Sequence, residues 1–284
     1  MRAGLVQLCG GDDPAANLGP TQALIADAAG AGAQLVLTPE CTNIVSADRA
    51  HQQAVLRREG DDPTLAALRA QAAQAGIWLL VGSLLLKAED AGEARLVNRS
   101  LLIAPDGRVA ARYDKIHMFD AEVATGETYR ESAAVRPGDR AVLATADLPG
   151  GPLPLGLTIC YDLRFPYLYR RLAQAGAMAL TVPSAFTVPT GSAHWHVLLR
   201  ARAIETGCFV LAPAQCGTHA VNTPSERPPR QSYGHSLAVS PWGEILGDGG
   251  SDPGLVLVDL DPAQVAEARR RVASVLRDSA VMGP

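Results

Sequence analysis

The candidate reactive residues of this chain share one position, because each comes directly after a strand-like run. Cys160 follows LPLGLTI, Glu40 follows LVLTP and Lys115 follows VAARYD. Runs of this kind predict strands, and reactive groups of α/β folds collect where strands end and loops begin. We therefore expect a thiol, a carboxylate and an ammonium group to meet at strand ends.

Each of these three groups has a possible role in nucleophilic catalysis. Cysteine is the strongest nucleophile among the side chains once ionised, and a carboxylate can take the thiol proton and return it to a leaving amine. The Lys115 ammonium can lower the pKa of the Cys160 thiol and face a developing oxyanion. The backbone N–H of Tyr161 would be the second oxyanion donor.

The residue types alone leave other interpretations open. A strand-end cysteine is more often a core residue than a catalytic one. Glu40 could be a charge at a helix N-terminus, and Lys115 could be a surface lysine. A Cys–His pair is the commoner form of cysteine catalysis. The histidines that could supply it are His117, His194, His196, His219 and His235.

The composition is that of a globular protein. The chain has 284 residues, 48% of them hydrophobic, and a formal charge of −4, which gives no general attraction to nucleic acid or to an anionic membrane. The five scattered cysteines form no CxxC pair, so we expect neither a disulfide framework nor a zinc site, and a cytoplasmic location. No apolar run approaches the ~20 residues of a membrane span, so we expect no spanning helix. The apolar stretch near the N-terminus is shorter than that of a signal peptide, so we do not expect one.

Strand-like runs alternate with Ala-rich helical segments, such as residues 20–33, along most of the chain. Turn signals, such as Pro-Asp-Gly at 105–107, also predict hairpins, and residues 120–140 are polar and predicted irregular. This pattern favours two mixed sheets packed face to face with helices outside. We expect one domain over residues 1–262 and a helical tail over 263–284 that could pack on a partner subunit.

Five stretches together resemble the nitrilase, or carbon–nitrogen hydrolase, superfamily. They occur in the family's order over about residues 2–260: TPECTN, RYDKIHMFD, GLTICYDLRFPYLYRRLAQAGA, HWHVLLRARAIETGCFVLAPAQCG and YGHSLAVSPWGEILG. The family's Glu–Lys–Cys triad falls on Glu40, Lys115 and Cys160. The resemblance implies a thioester acyl-enzyme and a four-layer α-β-β-α sandwich. It also implies a homodimer or higher homo-oligomer, and neither a metal nor an organic cofactor.

The resemblance also implies a second glutamate that positions the lysine and the substrate. Glu131, in RESAAVRPGD, matches the family's pattern, and Glu127 is the alternative. The stretch PSAFT should line the pocket opposite the nucleophile, where Phe186 and Thr187 either shape the pocket or only pack.

Arg164 lies four residues after Cys160 and has two possible roles. Its guanidinium could fork onto a substrate carboxylate, or it could pair with Asp162 and fix the loop. Both roles remain open on the sequence alone.

Within the superfamily the chain most resembles the Nit branch, and there the deaminated glutathione amidases, through PECTN and RARAIETGCFVLAPAQCG. This implies hydrolysis of deaminated glutathione to 2-oxoglutarate and Cys-Gly, a metabolite-repair reaction. The first alternative is an ω-amidase acting on 2-oxoglutaramate or 2-oxosuccinamate. Others are an N-carbamoyl amino acid hydrolase, a nitrilase and a non-catalytic binding or assembly module.

Several positions depart from related patterns. Leu163 stands where carbamoyl hydrolases have the first of two arginines, which counts against that activity. His196 and Tyr167 stand where close relatives usually have glutamate, and the loop at 222–230 is longer than is common. These departures affect the prediction of the exact substrate more than the prediction of the reaction type.

Overall fold

The computed structural model of the protein describes residues 1–90, 92–124, 127–222 and 229–277. Strands supply the centre of the fold in these residues. In chain order they are β1 (Arg2–Gln7), β2 (Leu35–Leu37), β3 (Trp78–Lys87), β4 (Leu96–Ile103), β5 (Val109–Asp114), β6 (Asp120–Ala124), β7 (Glu127–Arg130), β8 (Val142–Leu148), β9 (Gly151–Leu157), β10 (Ala179–Thr181), β11 (Phe209–Ala212), β12 (Cys216–Thr218), β13 (Gln231–Tyr233), β14 (Leu237–Val239), β15 (Ile245–Asp248) and β16 (Gly254–Asp259).

The strands form two six-stranded mixed sheets. The first has the order β16-β1-β2-β3-β4-β5 and the second has the order β15-β14-β11-β10-β9-β8. Each has three parallel strands at its centre, β1-β2-β3 and β9-β10-β11, with antiparallel neighbours on both sides. The prediction of two mixed sheets is confirmed. Two small pairs, β6-β7 and β12-β13, stand apart from them.

Helices cover the outer faces of the sheets. They are α1 (Pro14–Gly30), α2 (Arg49–Val55), α3 (Pro63–Ala75), α4 (Pro166–Gln174), α5 (Val188–Thr206) and α6 (Ala263–Arg271), with short 3-10 helices at Glu59–Asp61, Glu131–Ala133, Cys160–Arg164 and Ser274–Leu276.

Successive side chains of a strand point to opposite faces, which creates two cores. Leu5 of β1 shares a core with Leu155 of β9 in the other sheet, and the same core extends to Leu199 of α5. The next residue, Val6, belongs to a separate core with Leu68 of α3. The layers are therefore helices, first sheet, second sheet and helices, which confirms the four-layer sandwich.

Two local features differ from the sequence prediction. Helix α1 begins at Pro14, six residues before the predicted start. Asp13 caps it by accepting a hydrogen bond from Ala15 N (2.9 Å), and a proline suits the first helical position. The segment 120–140 is not wholly irregular, since β6 and β7 pair in register from Asp120↔Arg130 onward. These short strands lack the apolar alternation that would have indicated them.

The C-terminal segment contacts its own chain. In α6, Arg269 Nη2 donates to the Ala177 carbonyl (2.6 Å), and its Nε donates to the Thr206 carbonyl at the end of α5 (3.1 Å). The division at residue 262 and packing of the tail on a partner remain predictions, and residues 278–284 lie outside the described part of the chain. Among the described residues, no helix has the length and apolar character needed to cross a membrane.

Replacing Gly82 with alanine should destabilise the fold strongly. A Cβ at Gly82, in β3, would lie 1.9 Å from the Thr38 carbonyl oxygen and 2.5 Å from Pro183 Cβ, so the backbone at Thr38 and the Pro183 ring would have to move. We expect a loss of about 3 kcal/mol in the free energy of unfolding, measured by urea denaturation. The control is Gly19→Ala on α1, where a Cβ meets nothing within 4 Å. This control should gain up to about 1 kcal/mol, and equal effects of the two variants would contradict the prediction.

Candidate active site

The turn after β2 holds Glu40 against the start of a bulge in β3. Thr38 Oγ1 accepts a hydrogen bond from Gly82 N (3.0 Å), and Ser83 Oγ accepts one from Cys41 N (2.8 Å). Cys41 has a φ of 56°, in the left-handed region that few residues other than glycine adopt. The chain therefore turns sharply at this point, and Glu40 is fixed from both sides.

Lys115 lies just beyond β5, between two carboxylates. Its Nζ donates to Glu40 Oε1 (2.9 Å) and to both carboxylate oxygens of Glu131 (2.9 Å each). Glu131 Oε2 also accepts a hydrogen bond from Phe119 N (2.6 Å). Lys115 is only 2% exposed and Glu40 only 4%. A buried ammonium needs such partners, because an unpaired charge in the interior is very unfavourable.

Asn98 is a residue of this cluster that sequence reasoning missed. Its Nδ2 donates to Glu40 Oε1 (3.0 Å) and lies 3.5 Å from Glu131 Oε1. The main-chain carbonyl of Asn98 accepts a hydrogen bond from Lys115 N (2.9 Å). The signal was present in the stretch LVNRSLLI, where an amide interrupts a buried strand. A buried amide in such a place requires hydrogen-bond partners.

Cys160 begins a 3-10 helix shortly after β9 ends. Its φ of 49° is again left-handed, and its N–H donates to the Pro183 carbonyl (2.9 Å). The Glu40 carboxylate and the Lys115 ammonium are both close enough to shift the pKa of the thiol. The structure thus brings Glu40, Lys115 and Cys160 together, although they come from different sheets.

Asp162 fixes the turn that carries Cys160. Its buried carboxylate accepts hydrogen bonds from Tyr113 Oη (2.6 Å), Ile159 N (2.9 Å) and His117 N (3.0 Å), and it lies 2.6 Å from His117 Nδ1. Among the described residues, no ion pair joins Arg164 to Asp162. The pairing that the sequence left open for Arg164 is therefore not formed.

The Arg164 guanidinium lies instead between two aromatic rings. Its Cζ is 5.9 Å from the centre of the Tyr161 ring and 5.7 Å from that of Phe186, and its Nη2 is 3.3 Å from His194 Nδ1. Within the described part of the chain no carboxylate pairs with it. Phe186 also packs against Trp195, with ring centres 4.8 Å apart.

The remaining sequence-predicted residues occupy different positions. The Thr187 side chain is buried just before α5, with its Oγ1 2.9 Å from Thr190 Oγ1. Glu127 begins β7, but its side chain lies outside the part that the structure describes. The Tyr161 N–H, in the first turn of the 3-10 helix, makes no hydrogen bond to another described residue. Such N–H groups at a helix start are free to bind an oxyanion.

Arg230 is the second residue of the site that the sequence analysis missed. Its Nη2 donates to the Ala185 carbonyl, and the Ala185 N–H donates to Glu40 Oε2 (3.0 Å). No motif pointed to it, because it follows a proline-rich stretch of sequence and is brought to the site only by the fold.

Among the described residues, none of the five candidate histidines is hydrogen-bonded to Cys160. His117 contacts Asp162, His194 contacts Arg164, and His196 and His235 both contact the Asp248 carboxylate. His219 lies between the Gly10 carbonyl and Ser232, and burial lowers its pKa to about 4, with help from the charge of Arg230. The geometry therefore favours Glu40 over histidine as the partner of Cys160.

Burial and charge shift the pKa values of the three central groups. Burial raises the pKa of the Cys160 thiol well above its usual value, and Glu40 adds to this rise, while Lys115 opposes it without cancelling it. Burial also raises the pKa of Glu40, but Lys115 and the hydrogen bond from Cys160 outweigh that effect and lower it. Burial lowers the pKa of Lys115, but Glu131 and Glu40 raise it well above its usual value. The directions of these shifts favour a neutral thiol, a carboxylate and an ammonium in the resting site. Lys115 lowers the pKa of Cys160, as expected from the sequence, but burial and Glu40 outweigh it.

Comparison with known proteins agrees with this fold. A family model described as carbon-nitrogen hydrolase matches residues 2–270. A deaminated glutathione amidase from Yersinia enterocolitica is 41% identical over 244 residues, which are 86% of this chain and 80% of that protein. The NitFhit protein of C. elegans superposes with a TM-score of 0.85 at 33% identity, over 98% of this chain and 64% of its own. This chain therefore spans just under two thirds of NitFhit.

A second solved structure bears on the chemistry. A mutant form of an amidase from Nesterenkonia sp. AN1 matches with a TM-score of 0.76 at 30% identity, over 96% of this chain and 98% of that one. That structure shows the result of Michael addition of acrylamide at the active site cysteine. The chain belongs to the carbon–nitrogen hydrolase family, within the nitrilase superfamily, and is an amide-hydrolysing enzyme.

Removing the Asp162 carboxylate should destabilise the protein more than removing one of its partners. Asp162→Ala leaves several buried donors without an acceptor, and we expect a loss of about 3 kcal/mol in the free energy of unfolding. Tyr113→Phe removes a single hydrogen bond and should cost about 1 kcal/mol. Urea denaturation of both variants measures the difference, and similar losses would contradict the assigned role of Asp162.

The pH dependence of Cys160 alkylation should follow from the shifts of its pKa. Because the pKa of the thiol is raised, its reaction with iodoacetamide should still accelerate above pH ~9, where an unperturbed thiol levels off. Glu40→Gln removes a neighbouring negative charge and should move the midpoint of this curve to lower pH. Site-resolved mass spectrometry measures the rates, and Glu131→Gln is the comparison variant, because Glu131 contacts Lys115 and Phe119 N and should move the midpoint less than Glu40 does. A plateau already reached at neutral pH would contradict the neutral resting thiol.

Proposed function

We propose that this enzyme hydrolyses the linear amide bond of deaminated glutathione, with Cys160 as nucleophile and Glu40 and Lys115 as its catalytic partners. The products would be 2-oxoglutarate and Cys-Gly. The observation that carries the substrate assignment is the Arg164 guanidinium, which lies four residues from the nucleophile and pairs with no carboxylate of the described residues. A substrate that presents a carboxylate to it would supply this partner. The relative from Yersinia enterocolitica, a deaminated glutathione amidase, supports the choice.

The first half of the reaction forms a thioester. The Cys160 sulfur attacks the amide carbonyl carbon while Glu40 takes the thiol proton, because the resting thiol is neutral and the carboxylate is already ionised. Lys115 and the Tyr161 N–H face the oxyanion of the tetrahedral intermediate. The carbon–nitrogen bond then breaks, and Glu40 returns the proton to the leaving amine.

The second half of the reaction hydrolyses the thioester. Glu40 takes a proton from water, whose oxygen attacks the thioester carbon, and the proton finally returns to the sulfur as the acid leaves. Glu131 and Asn98 act as positioning residues, since their contacts hold the Lys115 ammonium and the Glu40 carboxylate in place.

An ω-amidase acting on 2-oxoglutaramate is the second candidate. It would present the same 2-oxo acid group to Arg164 and release ammonia instead of a dipeptide. An N-carbamoyl amino acid hydrolase is less well supported, because Leu163 is fully buried in the core and offers no second guanidinium beside Arg164.

We further propose that the enzyme is a homodimer in the cytoplasm. Large apolar side chains lie exposed on the outer helices, as Val197 (68%) and Ile204 (53%) do on α5, and a second copy could cover them. All five cysteines are unpaired, which fits a reducing compartment.

A parallel assay of deaminated glutathione, 2-oxoglutaramate, an N-carbamoyl amino acid and a simple nitrile tests the substrate. We expect kcat/KM for deaminated glutathione to exceed that for the carbamoyl compound and the nitrile by ~100-fold or more, about 3 kcal/mol of transition-state discrimination. Cys160→Ala should abolish turnover, whereas Cys208→Ala, which alters a cysteine packed beside Ala177, should remain active. Turnover by Cys160→Ala would overturn the mechanism, and a preference for 2-oxoglutaramate would favour the second candidate.

A further inference from the structure

We propose that Arg230 forms a second anion subsite, which binds a carboxylate on the leaving amine of the substrate. This inference rests on the proposed function and makes it more specific. The preferred substrate would carry one carboxylate on the acyl side, at Arg164, and one on the amine side, at Arg230.

The Arg230 guanidinium has unused binding capacity. Its Nη2 donates to the Ala185 carbonyl, and its Cζ lies 6.0 Å from the centre of the Tyr129 ring. Its Nε is buried without a hydrogen-bond partner, and no carboxylate of the described residues pairs with it. A buried donor without a partner is unfavourable, so an anion that accepted a hydrogen bond from it would bind favourably.

The Arg230 guanidinium lies on the Glu40 side of the nucleophile. Ala185, whose carbonyl Arg230 contacts, donates its own N–H to Glu40 Oε2 (3.0 Å). The charge of Arg230 acts on Glu40, whereas Arg164 lies over Phe186, the residue after Ala185. The two guanidiniums therefore contact consecutive residues beside the reactive centre.

The proposed chemistry connects this side of the site with the leaving group. Glu40 must reach the amide nitrogen to return the proton, so the amine leaves on the Glu40 side. A cation on that side can bind an amine that carries a negative charge, but it contributes little to the binding of an uncharged amine. The terminal carboxylate of a dipeptide amine fits this requirement, whereas ammonia does not.

The test compares deaminated glutathione with its C-terminal amide, which differs only by the loss of that carboxylate charge. Wild-type enzyme should prefer the acid by about 30-fold in kcat/KM, the size expected for one charge-assisted hydrogen-bonded contact. Arg230→Gln should reduce this ratio to about threefold or less, and Arg230→Lys should keep part of it. The matched control Arg164→Gln should lower kcat/KM for both compounds and preserve the ratio. An unchanged ratio in Arg230→Gln would overturn the inference.

A second measurement separates this inference from the substrate assignment. If the wild-type enzyme hydrolyses neither compound, the proposed substrate is wrong, and 2-oxoglutaramate or another amide that it does hydrolyse serves as reporter. N-acetylglycylglycine should then inhibit the wild-type reaction more strongly than its C-terminal amide does, and Arg230→Gln should remove the difference. Equal inhibition of the wild-type enzyme by both compounds would overturn the Arg230 subsite. Urea denaturation confirms that each variant is folded.

Discussion

The ammonium of Lys115 is the interaction on which the rest of the site depends. It is almost fully buried and contacts Glu40 and Glu131 at 2.9 Å. Either carboxylate without the lysine would be a buried negative charge with too few partners, and the lysine without them would lose its proton. Asn98 and the Phe119 N–H complete the hydrogen bonds that the carboxylates need. The buried charges of Lys115, Glu40 and Glu131 therefore depend on one another.

The same burial decides the form of the chemistry. In cysteine enzymes with a preformed ion pair, a neighbouring cation keeps the sulfur ionised. Here burial and the neighbouring Glu40 carboxylate raise the pKa of the thiol, so in the proposed mechanism the proton stays on sulfur until attack begins. Glu40 is kept ionised by Lys115 and is therefore ready to accept that proton. The lowered pKa of Glu40 and the raised pKa of Cys160 arise from the same arrangement of buried charges.

Much of this arrangement could be predicted from the sequence, and the limits have physical causes. Glu40, Lys115 and Cys160 were recognisable because each follows a strand-like run, and their motifs resemble one family. Asn98 was missed because a single amide in an apolar strand carries no sign of its partner. Arg230 was missed because only the fold connects its loop to the Ala185 carbonyl.

The thiol and its base belong to different sheets, and this has a consequence for the whole molecule. Cys160 follows a strand of the second sheet, whereas Glu40 and Lys115 follow strands of the first. The position of the sulfur relative to the carboxylate therefore depends on how the two sheets pack through the apolar core, to which Leu5 and Leu155 contribute. In the proposed mechanism, a change in the volume of these leucines would alter the path of proton transfer as well as the stability of the core.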